Sequence, residues 1–167
     1  MAEETVTHLE MTGREQLRPG QVVPELALAE VGGSSPLIRP TTLRIAAEYR
    51  WPSLCWGNAQ WADYLADPGR QFWLIRYGEQ IAGLSDFQRQ EDGQVEITTF
   101  GLVPEFVGKG LGGHALTLAA ERAWAYGGDV RRIWLHTSTL DHPHALANYR
   151  ARGFRPFRVF TRTQEEP

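Results

Sequence analysis

The 167-residue sequence contains a single cysteine, Cys55. One thiol cannot close a disulfide within the chain or build a cysteine-rich metal cluster, and that usage fits a reducing compartment. No apolar run approaches the ~18 residues that a membrane helix needs. Residues 1–11 lack the basic and apolar regions of a secretory leader. A cytoplasmic protein that engages no membrane is therefore expected. A large excess of either charge is also missing, the formal net charge being −3. Nucleic-acid binders present a basic face, so no nucleic-acid partner is expected. The weak negative balance is compatible with a cationic amine ligand and decides little.

What is present is ordinary globular composition, 42% hydrophobic in a length that suits one domain. No repeat or low-complexity segment interrupts it. Of the six tryptophans, four fall between Trp51 and Trp73.

Hydrophobic periodicity divides the chain. Thr5 to Met11 alternates as a strand does. Pro19-Gly20 marks a turn, and Val22 to Val31 reads as an extra strand or a loop. Pro40-Thr41-Thr42 opens a helix reaching Arg50, and Asn58 to Ala66 forms a second. Gln71 to Tyr77, Gln80 to Gln88 and Gln94 to Val103 are strands, the last two joined across Asp92-Gly93, a tight-hairpin signal. Leu111 to Tyr126 has helical spacing and stops at Gly127-Gly128. Arg132 to Thr137 is a strand. Pro143 suits the first turn of a helix running to Arg152. Phe154 to Thr161 is a last strand, followed by a short polar tail.

The densest signal is Val107-Gly108-Lys109-Gly110-Leu111-Gly112-Gly113, between a strand and a helix. The first N–H groups of a helix lack intrahelical partners, and the dipole makes that end positive. Glycines let a phosphate approach such a backbone, and Lys109 adds charge at the rim. A Walker loop needs Ser or Thr after the lysine, where Gly110 stands. The dinucleotide fingerprint matches as Gly108, Gly110 and Gly113. It belongs in a parallel βαβ unit, whereas here the preceding strand leaves an Asp-Gly hairpin.

The stretch from Leu102 to Gly112 resembles motif A of the GCN5-related N-acetyltransferase (GNAT) superfamily, whose core is Gln/Arg-x-x-Gly-x-Gly/Ala. Gly110 and Gly112 fill the glycine positions, and Val107 stands where Gln or Arg is usual. Pro143 to Phe154 is similar to motif B, where Asn-x-x-Ala-x-x-x-Tyr-x-x-x-Gly-Phe is common. Ala145, Tyr149, Gly153 and Phe154 match, and His142 takes the Asn position. The resemblance covers residues 71–161 well and the N-terminal third in outline. It implies an α/β fold in a single domain over 1–167. Residues 1–70 would supply an N-terminal strand and acceptor-side helices, and 71–161 the cofactor-binding core. The sheet would be mixed and mostly antiparallel. Its fourth and fifth strands, Gln94 to Val103 and Arg132 to Thr137, would splay to admit the cofactor.

The resemblance further implies acetyl-coenzyme A as cosubstrate, held by residues 107–113 with His142. It implies oxyanion contacts from the N–H groups near Leu102 and Val103. The acceptor would be a primary amine on a small molecule or peptide, acetylated directly in a ternary complex. Glu96 lies eleven residues before Val107, the spacing at which histone acetyltransferases of the superfamily place their glutamate, and is the candidate base. Tyr149 is the candidate acid for the leaving thiolate. His136, ending a strand beside the expected gap, is an alternative base or acceptor contact. His136, Asp141, His142 and His144 cluster, yet without Cys or a helical His-x-x-x-His pair no metal is expected. Trp51, Trp56 and Trp61 either line an aromatic amine pocket or pack in the core. Two other readings stay open: a non-catalytic acyl-coenzyme A-binding module and a nicotinamide-dinucleotide-binding protein. A homodimer stays open as well.

Overall fold

The computed structural model describes residues 2–164. Seven strands form one sheet in the order β2-β3-β4-β5-β6-β1-β7. In chain order the elements are β1 (Ala2–Met11), β2 (Leu26–Val31), α1 (Ile38–Tyr49), α2 (Asn58–Ala66), β3 (Arg70–Tyr77) and β4 (Gln80–Arg89). There follow β5 (Gln94–Leu102), α3 (Gly112–Trp124), β6 (Arg132–Ser138), α4 (Ala145–Ala151) and β7 (Arg155–Gln164). The ambiguous stretch before residue 32 is a strand from Leu26, paired antiparallel with β3.

β2 to β5 form an antiparallel meander. Asp92 and Gly93 both take positive φ, as the central residues of a type I′ turn require. β5 and β6 are parallel, and they pair over only three positions, Gln94 with Arg132, Val95 with Ile133 and Glu96 with Trp134. Beyond Glu96 the two strands part. The expected splay is present, between what chain order makes the fifth and sixth strands.

Two layers of helix cover the sheet. On one face Leu116, Ala119, Ala120, Ala123 and Trp124 of α3 pack with Leu9, Met11, Ile97, Ile133 and Leu135. The small residues let α3 lie close, and each large apolar side chain buried there is worth roughly 1.5–3 kcal/mol. On the opposite face Ile38 and Ile45 of α1 meet Phe72, Leu74 and Leu84. A bulge in β5 decides what faces which way. Asp86 pairs with Thr99 and Phe87 with Ile97, leaving Thr98 unmatched. The alternation of β5 therefore shifts by one at Thr98, as a bulge dictates.

Some boundaries move. α1 begins at Ile38, so Pro40 sits inside its first turn, where its missing N–H costs nothing. α4 spans only Ala145–Ala151, and Pro143 belongs to the turn before it, in which the Ala145 N–H donates to the His142 carbonyl. β7 continues through Gln164 because β1 supplies partners as far as Ala2. Residues 165–167 of the polar tail lie outside the described residues.

Candidate active site

Where β5 and β6 diverge, a cleft of about 840 Å³ opens. One end is walled by the glycine turn and α4, the other by Trp51, Trp56, Tyr49 and Tyr64 above Glu96 and His136.

The turn at the first end has the conformation its sequence demands. Gly108 and Gly110 take φ of +77° and +76°, values that oppose a side chain. A Cβ at either would meet no protein atom within 4 Å. Both glycines are thus required by backbone shape, and the space a side chain would fill stays clear along the cleft. No side chain caps α3, whose first turn opens onto this space. Asn148 of α4 donates to the Gly112 carbonyl at 3.0 Å and fixes α4 against the turn. Arg152 also lines the cleft, and its Nη1 lies where a Cβ on Gly113 would be. An anion with an extended, narrow body fits this end: uncapped amides, clear glycines and one guanidinium. Lys109 stands apart. Its Nζ lies 5.6 Å over the Phe106 ring, and it lines a separate depression with Val103.

At the other end Glu96 occupies the last rung shared by β5 and β6. Its side chain is only 15% exposed, and burial pushes its pKa above the usual carboxylate value, against the pull of Arg70 and the Gln90 hydrogen bond. Gln90 Nε2 donates to Glu96 Oε1 at 3.2 Å, while Gln90 Oε1 accepts from Trp134 Nε1 at 2.9 Å. Gln90 thus fixes the carboxylate from behind. His136 Nδ1 stands 3.8 Å from Glu96 Oε2, too far for a hydrogen bond. Burial first, and Arg162 with it, pushes the His136 pKa below its usual value against Asp141 and Glu4, favouring the neutral imidazole.

Tyr149 lines the cleft from α4 and is 7% exposed, its ring edge-on to Phe100 and Phe154. Burial, reinforced by Asp141, pushes its phenol pKa up, so the hydroxyl stays protonated. Glu96, His136, Tyr149, His142, Leu102, Val107 and the glycines from Gly108 to Gly113 all border one cleft. Val103 does not. Its N–H donates to the Ala82 carbonyl at 2.8 Å and is not free to meet an oxyanion. Trp61 is core, 1% exposed against Trp56 at 5.0 Å, whereas Trp51 and Trp56 do line the cleft.

Several residues here carry no sequence motif. Asp141 joins the two walls: Oδ1 accepts from Trp51 Nε1 at 2.9 Å, and Oδ2 accepts from Thr137 Oγ1 at 2.7 Å and the Ser138 N–H at 2.9 Å. His142 Nδ1 accepts the His144 N–H at 3.1 Å. Beneath Glu96 lies a buried network. Asp86, fully buried, accepts from Tyr64 at 2.6 Å, from Arg70 at 3.3 Å and from Thr98, while Arg70 also donates to Thr98 at 2.6 Å. Among the described residues no three His, Cys, Asp or Glu side chains come together to hold a metal ion.

One expectation about the glycine turn changes. β5, α3 and β6 do form a parallel βαβ crossover. The resemblance to a dinucleotide site ends there. The strands separate after three pairs, and the first carboxylate after β6, Asp141, has both oxygens engaged.

An antiparallel meander leading into a split parallel pair, with a glycine turn facing the gap, is the architecture of an acyl-transferring enzyme fold. Residues 40–154, more than half of the chain, match the Acetyltransferase (GNAT) family, and the chain belongs to it. An uncharacterised N-acetyltransferase of Mycobacterium bovis is 27% identical over 108 residues, covering 61% of this chain and 67% of that protein. Among solved structures, a GCN5-related N-acetyltransferase from Kribbella flavida superposes with a TM-score of 0.66 at 19% identity, covering 91% of this chain and 54% of that one. A tandem GNAT protein from the clavulanic acid biosynthesis pathway gives 0.63 at 18% identity, covering 95% and 53%. A conserved protein of unknown function from Staphylococcus epidermidis gives 0.62 at 16%, covering 96% and 60%. The chain spans between half and three fifths of the length of these solved chains. Among the described residues no helix is long and apolar enough to cross a membrane.

Proposed function

We propose that the chain transfers an acetyl group from acetyl-coenzyme A to a primary amine, directly and in a ternary complex. The observation that carries this reading is the strand split at Glu96. It sets a half-buried carboxylate and the Tyr149 phenol on one cleft whose far end is the positive-φ glycine turn. The turn, with Arg152 at its rim, would take the pyrophosphate. The pantetheine arm would run between β5 and β6.

Glu96 would take the proton from the incoming ammonium, directly or through a water. The freed amine would attack the thioester carbonyl, and the carbon–sulfur bond would break. Tyr149, whose hydroxyl stays protonated, would give its proton to the leaving thiolate and recover one as the attacking nitrogen loses its second proton. The products are an amide and the free coenzyme thiol. Cys55 is exposed and takes no part.

The test is calorimetric titration with acetyl-coenzyme A beside a nicotinamide dinucleotide. Micromolar binding of the first alone, worth roughly 8 kcal/mol, supports the reading. Binding of the dinucleotide alone overturns it. Binding of acetyl-coenzyme A with no turnover of any amine would leave a binding module in place of an enzyme.

A further inference from the structure

A second surface adjoins the cleft on the same side of the sheet. Helices α1 and α2 lie over β3 to β5, and beyond the split no helix among the described residues covers the side chains that β6, β1 and β7 present on that side. His8 is at the centre. Its ring stacks on Trp134 at 5.5 Å and on His136 at 5.4 Å, with Phe160 at 5.6 Å and Phe157 at 5.8 Å. Strand register accounts for the gathering, since His8 pairs with His136 on one side and Arg158 on the other. Two of the rings stay open to solvent, Phe157 at 44% exposed and the His136 side chain at 43%, and the other three are half-buried.

The charge on this face is one-sided. Its two carboxylates are engaged, Glu10 with Arg132 at 3.1 Å and Glu4 with Arg162 at 2.6 Å. Arg158 has no carboxylate partner among the described residues, and its guanidinium lies 4.7 Å over the Phe160 ring. Burial first, then His136 and the three arginines Arg158, Arg162 and Arg132, push the His8 pKa down. A positive patch thus lies on a chain of net charge −3. Two copies meeting here would set arginine against arginine, which disfavours self-association through this face. The face is continuous with the cleft, because His136, Glu4 and Arg162 line both.

We infer that this face holds the body of the acceptor, an amine that carries an aromatic ring and, beyond the ring, a carboxylate. The ammonium sits at Glu96, the ring lies against His136 and His8, and the carboxylate meets Arg158. Stacking suits a flat ring, and a guanidinium suits a carboxylate. This assignment rests on the cleft being an acetyl-transfer site.

The experiment measures acetyl-coenzyme A-dependent kcat/KM for four amines: 4-(2-aminoethyl)benzoate, 2-phenylethylamine, 6-aminohexanoate and hexylamine. The first should exceed each of the others by about tenfold or more, the scale of one charge-assisted contact. Arg158→Gln should erase the advantage of the benzoate over 2-phenylethylamine and leave 2-phenylethylamine itself unchanged. His8→Ala should lower both ring amines and spare hexylamine. Melting temperatures of both variants establish that they fold. Equal kcat/KM across the panel, or an undiminished benzoate advantage in Arg158→Gln, overturns the assignment. So does acetyl-coenzyme A binding with no panel amine acetylated, or sedimentation showing a dimer that Phe157→Asp dissociates. Failure of acetyl-coenzyme A to bind is a different result: it removes the transfer reaction, and the acceptor assignment with it.

Discussion

Glu96 carries out its assigned task under two opposed influences. Burial holds its proton more tightly, while Arg70 and Gln90 favour the carboxylate. A base acts in its ionised form, so acetylation should rise with pH through a value above the ordinary 4.5. Glu96→Gln should lower kcat by about 10²–10⁴-fold, remove that acidic limb and leave acetyl-coenzyme A affinity unchanged; steady-state kinetics across pH, with calorimetry, checks all three. Histidine titration gives a separate signature in stability. His8 and His136 both have pKa values held below 6.5 in the folded protein. The unfolded chain therefore binds more protons between the folded values and 6.5, and stability rises with pH across that window. The melting temperature should fall on acidification below about 6.5, and less so in His8→Gln, whose side chain takes up no proton there. At this scale the sequence offers the residues that regular alternation or a motif delivers, Glu96 and Tyr149 among them. Gln90 and Arg70 are invisible in it, and Asp141 shows there only as part of a histidine cluster, because their roles depend on partners brought together only by the sheet. The Val103 N–H is the reverse case. Sequence position suggests a free donor, and the pairing of β4 with the chain after β5 consumes it.

Among the elements, the turn between β5 and α3 combines stability with recognition. Gly110 pays no penalty at φ +76°, whereas alanine there costs about 1–2 kcal/mol. Gly110→Ala should melt lower and lose acetyl-coenzyme A affinity, read by thermal unfolding and calorimetry. A lower melting point with intact affinity would reduce the turn to a structural feature. The latch across the cleft makes a different prediction. Asp141→Asn keeps the volume but weakens the charge-assisted bonds to Trp51, Thr137 and Ser138, each worth about 1.5–3 kcal/mol when lost. The indole is then less constrained, and Trp51 fluorescence anisotropy should fall. Local chemistry made several elements legible: Asp92-Gly93 announces its hairpin, and the spacing of Leu111, Ala115 and Leu118 announces α3. The start of α4 was harder to read, because Pro143 is suited to a helix and to the turn before one. The His142 carbonyl, which accepts the Ala145 N–H, decides for the turn.

At the scale of the whole molecule, the order of strands is what the sequence conceals. Nothing in the composition of Thr5 to Met11 says that this strand lies between β6 and β7, near the far end of the chain. The placement depends on contacts such as Thr5 with Thr139, 134 positions apart. Such non-local pairing slows folding, and refolding on the millisecond-to-second scale is expected in stopped flow. Leu9, fully buried against α3, should on replacement by alanine cost about 2–5 kcal/mol, and denaturant titration would measure it.

The antiparallel β1–β7 pairing also sets how the molecule responds to force. Ala2 lies opposite Gln164, so tension between these two points acts on one end of a ladder and not along its length. Its hydrogen bonds are loaded one rung at a time, and β7, an edge strand, peels away first. β1 stays anchored through β6. That first event takes Arg162 from the edge of the cleft and leaves its walls on β5 and β6 in place. An optical trap holding residues 2 and 164 should record an early, low-force extension at the length of β7, before the load reaches the walls around Glu96.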